Sequence, residues 1–167
     1  MSDDAELSPS AKLCLACGLC CTGILGPHAP LLEPGDLEIA KRSRLRVIPE
    51  QGVFELPCPR LDGTRCEVYT DRPHICGSFR CSLLARLQDE GGPIEPFIDA
   101  VKRTKELLAF LESKGMSLHA GQDRKIEGSG DDAYEIMSVV AELMERLQTD
   151  FINTSPYREP IKYPAGS

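Results

Sequence analysis

The sequence predicts a small α+β protein: an irregular, cysteine-rich half with a short β-hairpin, then a mainly helical C-terminal half built on an antiparallel helix pair. Three observations predict it. All eight cysteines lie between Cys14 and Cys81, and the last 86 residues hold none. Short β-branched and aromatic runs surround an Asp62-Gly63 turn signal in the first half. Apolar residues recur at helical spacing in the second half.

Residues 1–11 open on Met-Ser-Asp-Asp-Ala-Glu and read as a disordered acidic lead-in. Residues 12–92 form the cysteine-cluster region, residues 93–153 a helical region packed on it, and residues 154–167 an extended tail with Pro156, Pro160 and Pro164. Within the first region, Cys14 to Cys21 is a tight cluster, followed by a loop with Gly23, Gly26, Pro27 and Pro30. Pro34 and Asp36 open a short helix through Leu37, Ile39 and Ala40. Val47-Ile48 and Val53 to Leu56 look strand-like, and Arg65 to Tyr69 is a second strand candidate. These two stretches are expected to pair as a hairpin with a long connection. Pro73 suits a first helical position, and one helix is expected from there past Cys76 and Cys81 to Leu87, ending at Gly91-Gly92.

Pro96 opens the next helix, with Phe97, Val101, Leu108 and Leu111 on one face and Gly115 at its end. Gly121 to Gly130 reads as a polar loop. Asp132 and Glu135 resemble a capping box. The helix they open carries Ile136, Val140, Leu143, Leu147 and Phe151 on one stripe. A core role explains both stripes.

Charge narrows the function. The formal net charge is −7 and the pI about 5.0. A phosphate backbone needs a basic surface. Here the only basic run is Lys41, Arg42, Arg44 and Arg46, which reads as a solvated helix end and loop. Nucleic acid is therefore not expected as a partner, and a protein partner stays open. No run reaches the roughly 18 apolar residues a bilayer span requires, so no membrane role is expected. The N-terminus lacks the basic and apolar regions of a signal peptide, and a cytoplasmic location is expected. Thiols stay reduced there, and clustered cysteines point to metal or catalysis rather than to four disulfides.

The first cysteine cluster is Cys14-x2-Cys17-x2-Cys20-Cys21. Two-residue spacing lets a loop present thiolates to an ion from both sides. Three cysteines at this spacing match the start of a bacterial ferredoxin run, and Gly18 suits a sharp turn. Cys21 breaks that pattern. Neighbouring side chains rarely point the same way, so Cys20 and Cys21 are expected at different sites, or one of them is not a ligand. The second set is Cys58, Cys66, Cys76 and Cys81. Cys58-Pro59 resembles the Cys-Pro that closes a ferredoxin ligand run.

Eight thiolates suffice for two four-cysteine sites, or for one site and a redox pair. Spacing does not choose between them. On two divalent ions they would leave about four negative charges. Arg60, Arg65, Arg72 and Arg80 lie beside the second set and could neutralise some of that charge. His74, His28 and His119 are substitute ligands, in falling order of promise. All-thiolate ligation admits zinc or an iron–sulfur cluster, and the repeated two-residue spacing leans towards iron–sulfur.

Cys14-x2-Cys17-Gly18-x-Cys20-Cys21, Cys58-Pro59-x-Leu61, Cys66-x-Val68-Tyr69-x2-Arg72-Pro73-x2-Cys76 and Phe79-x-Cys81 together resemble the CxxCxxCC, or YkgJ-like, cysteine-cluster family, described as chelating zinc or iron. The resemblance covers roughly residues 13–84. It implies that Cys14, Cys17, Cys20, Cys21, Cys58, Cys66, Cys76 and Cys81 are metal ligands. Family members often carry Arg directly after the cysteine matched by Cys76; this chain has Gly77, which weakens a role for a basic group there. Some larger proteins with a similar cluster, the flagellin lysine N-methylases, are S-adenosylmethionine-dependent enzymes. This chain shows no site for that cofactor.

Three functions follow as expectations. One is an iron–sulfur or zinc protein in a redox or accessory role. Another is a zinc-stabilised, non-catalytic interaction module. The third is a metal-dependent modifying enzyme of methyltransferase-like type. No catalytic residue can be assigned: the sequence has no nucleophile elbow and no His-Glu metalloprotease motif, and Gly128-Ser129-Gly130 is too short to cradle phosphate.

Overall fold

The computed structural model describes residues 7–116, 130–152 and 158–167. His119 and the polar loop expected before Gly130 fall outside those residues. The elements in chain order are α1 (Pro9–Cys17), a 3-10 turn at Leu19–Cys21, β1 (His28–Pro30), α2 (Asp36–Arg42), β2 (Val47–Ile48), β3 (Val53–Glu55), β4 (Leu61–Asp62), β5 (Arg65–Cys66), α3 (His74–Ser78), α4 (Ser82–Glu90), α5 (Glu95–Ser113) and α6 (Gly130–Arg146), which runs on into a π turn at Leu147–Phe151. They sort into two units, each discontinuous in sequence. Met1–Cys17 and Arg80–Asn153 form a helical unit; Gly18–Phe79 and Thr154–Ser167 form a cysteine-rich unit. No helix among the described residues is long and apolar enough to cross a membrane.

In the helical unit, α1 begins inside the stretch expected as a lead-in. Ser8 and Pro9 explain why. The Ser8 Oγ accepts the Ala11 N–H at 3.2 Å, an N-cap contact, and Pro9 fits the first helical position. Leu13 is buried. At the other end of α1 the Lys105 Nζ donates to the Ala16 carbonyl at 2.6 Å, a cation where the helix dipole is negative. Helices α5 and α6 run antiparallel: Arg103 pairs with Glu142 at 2.7 Å and Lys114 with Asp132 at 3.2 Å, so numbers rise on one as they fall on the other.

Of the expected α6 stripe, Ile136, Leu143, Leu147 and Phe151 are buried and Val140 is half-buried. The α5 stripe is shifted by one residue: Leu107, not Leu108, joins Val101 and Leu111 in the core. One residue is a rotation of about 100°, and Thr104 supplies the turn between, its hydroxyl bonded to the Ala100 carbonyl at 2.9 Å. Asp132 does not cap α6. The helix already starts at Gly130, and Asp132 lies in its first turn.

In the cysteine-rich unit, β3 is the middle strand of an antiparallel sheet ordered β1-β3-β2, with Ala29 and Val47 both opposite Phe54. The expected pairing of this region with residues 65–69 is therefore replaced. Both edges of β3 are taken, and Arg65-Cys66 instead pairs with Leu61-Asp62 across Gly63-Thr64. That closure spans two residues, which costs less chain entropy than a long connection. Gly63 takes the positive φ, 59°, that such a turn needs. Leu31, Leu37, Ala40, Leu45 and Phe54 form the core, with Cys58, Ile75, Cys76 and Tyr163 packed against it.

The single helix expected from Pro73 to Leu87 is two helices. Phe79 is extended (ψ 125°) and ends α3. Cys81 is the N-cap of α4, its sulfur accepting the Leu84 N–H at 3.4 Å.

Two contacts hold the cysteine-rich unit from outside its sheet. Asp36 is 1 % exposed. Its carboxylate accepts the N–H groups of Leu32 (2.8 Å), Glu33 (2.9 Å) and His74 (2.7 Å). The tail returns at residues 158–167. Ile161 N–H donates to the Leu31 carbonyl at 2.8 Å and Tyr163 N–H to the Pro49 carbonyl at 2.9 Å. Gly52 makes room: its φ is +68°, and any Cβ there would run into the Ile161 carbonyl.

Two outcomes are expected. Asp36→Ala leaves one buried and two part-buried N–H groups without their acceptor and should destabilise the cysteine-rich unit by about 3 kcal/mol. Hydrogen exchange should then accelerate at the Leu32, Glu33 and His74 amides. Gly52→Val should lower the unfolding free energy by about 2 kcal/mol or more, because left-handed backbone and the Ile161 contact both oppose it. Unchanged unfolding would show that the tail does not need this approach.

Candidate metal centre

The cysteine-rich unit opens with a bend. Gly18 adopts φ +68°, and the space of its missing side chain is bordered by Thr64, whose Cα would be 3.2 Å from a Cβ. The turn Leu19–Cys21 follows, closed by the Cys21 N–H on the Gly18 carbonyl at 3.0 Å. Leu19 is buried and anchors the turn. Cys20 and Cys21 then face together, with their sulfurs 3.9 Å apart. This replaces the expectation that adjacent cysteines diverge. That expectation holds for extended chain and fails in a tight turn.

The second cysteine stretch is bonded to the first. Cys58 N–H donates to the Cys21 carbonyl at 2.8 Å. Gly23 lets the chain pass closely there, since a Cβ on it would lie 3.3 Å from the Leu56 Cβ. Cys66 stands on β5 opposite Leu61. Cys76 lies in α3, whose first amide is the one held by Asp36.

The charges of these thiols act on one another. The hydrogen bond it shares with Cys21, backbone N–H groups and the Arg72 charge hold Cys20 down at about 7 despite burial. Cys21 keeps the shared proton and is pushed up, with burial and the charges of Cys20, Cys76 and Cys58 adding to that. Burial raises Cys58, and the charges of Cys66 and Cys20 raise it further, against Arg60. Burial pushes Cys76 up to about 12, helped by Cys58, Cys20 and Cys66 and opposed by Arg72. Cys21, Cys58 and Cys76 thus feel the charge of cysteines from other stretches of chain. They resist ionising together, and a bound cation would relieve that repulsion.

The donor set fits zinc or iron by chemistry, since thiolates suit both. It also fits by one length. Two sulfurs 2.3 Å from a tetrahedral ion lie roughly 3.8 Å apart, and Cys20 and Cys21 are 3.9 Å apart. Among the described residues no three of His, Cys, Asp or Glu are yet close enough to grip an ion together.

The remaining expected ligands belong to the helical unit: Cys14 and Cys17, three apart on α1, and Cys81 at the start of α4. Helix α1 packs on α4 within that unit. Cys20, Cys21, Cys58, Cys66 and Cys76 are free thiols. His28 and His74 are exposed on β1 and α3. A basic group does lie beside Gly77: it is Arg72, whose Nε is 3.6 Å from where a Gly77 Cβ would stand. The sequence reading missed Asp36 as an anchor, although an Asp three residues after Glu33 at a helix start is the available signal.

Free thiols drawn together on a small scaffold of turns and short strands define a cysteine-cluster domain. The model of the CxxCxxCC family, described as a "putative zinc- or iron-chelating domain", matches residues 13–105, more than half of the chain. The chain belongs to that family. No curated protein and no solved structure matches it.

In metal-free protein, alkylation by iodoacetamide should reach Cys20 first within the cysteine-rich unit. Its rate should rise through pH 7 and level off above, as the thiolate fills. Cys76 should stay slow until the pH nears 12. Cys21→Ala removes the donor and should move the Cys20 profile upward. Peptide mapping after timed labelling reads both; equal labelling of Cys20 and Cys76 at pH 7.5 would contradict the geometry.

Proposed function

We propose that this chain holds zinc or iron through its cysteine thiolates and serves a redox or accessory role. The carrying observation is the Cys20–Cys21 sulfur pair, at the separation two ligands of one ion would have, with Cys58 and Cys76 near enough for their charges to act on Cys21. Cys14, Cys17 and Cys81, in the helical unit, are the remaining proposed ligands. Iron would add electron transfer, whereas zinc would hold the loops without redox chemistry. The residues' own part is to offer sulfur donors on a scaffold that Asp36, the Cys58–Cys21 bond and the tail already hold.

A second reading is a zinc-stabilised interaction module. It is favoured by the 3.9 Å sulfur pair, which suits a single ion. Metal and acid-labile sulfide analysis of protein purified without air separates the two. Iron with sulfide, and broad absorption near ~400 nm, supports the redox reading. Colourless protein with stoichiometric zinc that unfolds on chelation supports the module. Cys20→Ser, Cys21→Ser or Cys58→Ser should each weaken metal binding more than about a hundredfold. Protein that takes up neither metal overturns both readings.

A further inference from the structure

Helix α6 carries two apolar rows, and the helical unit buries one of them. Ile136 and Leu143 face inward and are buried. Tyr134, Met137, Ala141 and Met144 form the other row, and all four are exposed. Tyr134 keeps 81 % of its surface and Met137 67 %. Of the large apolar side chains exposed among the described residues, Tyr134, Met137 and Met144 lie on this row and only Ile152 lies beyond the helix. Isolated exposed apolar residues are ordinary, and the outward face of a helix is normally polar. An apolar row running roughly 15 Å along one helix is the mark of a contact surface.

The spacing says what shape fits. Tyr134, Met137, Ala141 and Met144 stand three, four and three residues apart, the repeat with which one helix seats against another. Methionine adapts to irregular apolar surfaces, and Tyr and Met are favoured at interfaces. The charges beside the row say which helix. One residue on, at the same spacing, run Glu135, Ser138, Glu142 and Glu145. Glu142 is held by Arg103 at 2.7 Å and by Arg146 at 3.0 Å, and Arg146 is the single basic residue of α6. Glu135 and Glu145 are exposed and meet no cation among the described residues. A second copy of the chain would bring the same glutamates and a further net charge of −7 to the contact. A basic helix brings the opposite sign.

We propose that the outer face of α6 docks a basic amphipathic helix of a partner protein. The partner's apolar side chains lie on Tyr134, Met137, Ala141 and Met144, and its lysines or arginines lie against Glu135 and Glu145. Ala141, the smallest of the four, lets the two helices approach most closely at the middle of the row. The metal reading is not needed for this, since every residue named lies on one helix of the helical unit.

The test uses the full chain and the fluorescence anisotropy of a labelled synthetic helix of about 18 residues, with leucines at the same spacing and lysines beside them. Its controls are the same helix with glutamates for lysines, and a scrambled peptide of the same composition. The lysine helix should bind about tenfold tighter than either control, or better. Met137→Glu makes the surface more acidic, so plain charge attraction would grow. It should nevertheless weaken the lysine helix by about tenfold or more, because the apolar seat is broken. Met137 is exposed, so this variant should keep its fold, which circular dichroism checks. Glu135→Lys combined with Glu145→Lys should turn the preference towards the glutamate helix. Undiminished binding in Met137→Glu, or equal binding of the scrambled peptide, reduces the effect to bulk charge and overturns the inference. So does an unchanged preference in the double variant, or no binding of the lysine helix. A dimer of the chain in analytical ultracentrifugation that Met137→Glu dissociates gives this face to a second copy and overturns it as well.

Discussion

A carboxylate shut away from water must find its donors within the protein, and Asp36 finds three. Two come from the loop just before α2. The third is the first amide of α3, 38 residues on. Everything that distinguishes the cysteine-rich unit leans on that arrangement. It fixes where α3 begins, and so where Cys76 stands relative to the core that Leu31, Leu37 and Phe54 build. The bond between Cys58 and Cys21 does the same for the other thiols. Short strands and five-residue helices have little stability of their own. Side-chain-to-backbone bonds of this kind replace the regular ladders that a larger fold would use.

The cost of gathering sulfur is visible in the same unit. Burial and mutual repulsion oppose ionisation at Cys58 and Cys76. Cys20, which shares a hydrogen bond with its neighbour, lies low despite burial. Such a cluster is strained towards taking up positive charge.

What could be read from sequence follows from how much each residue type implies alone. Cysteine identity and spacing marked the thiol set, and Asp62-Gly63 marked the β4-β5 turn, because both carry their chemistry with them. The α6 stripe was legible because five apolar residues kept one period over four turns. The orientation of Cys20 and Cys21 was not, since it depends on the left-handed backbone at Gly18 and on Thr64 arriving from 46 residues away. The central place of β3 was equally hidden: three residues show no period, and which neighbours take its edges is decided by long-range packing. Leu107 displaced Leu108 because Thr104, a polar residue by type, is buried once its hydroxyl is bonded within its own helix.

The return of residues 158–167 to the sheet places the whole helical stretch between the two parts of the cysteine-rich unit. A ribosome releases the sheet and its thiols first, and Ile161 and Tyr163 much later. At roughly 5–20 residues per second the interval lasts several seconds. During it the nascent chain displays sulfur without its final lateral support. Completion of this unit is thus a late event in biosynthesis, timed by the translation of a segment that contributes none of its strands.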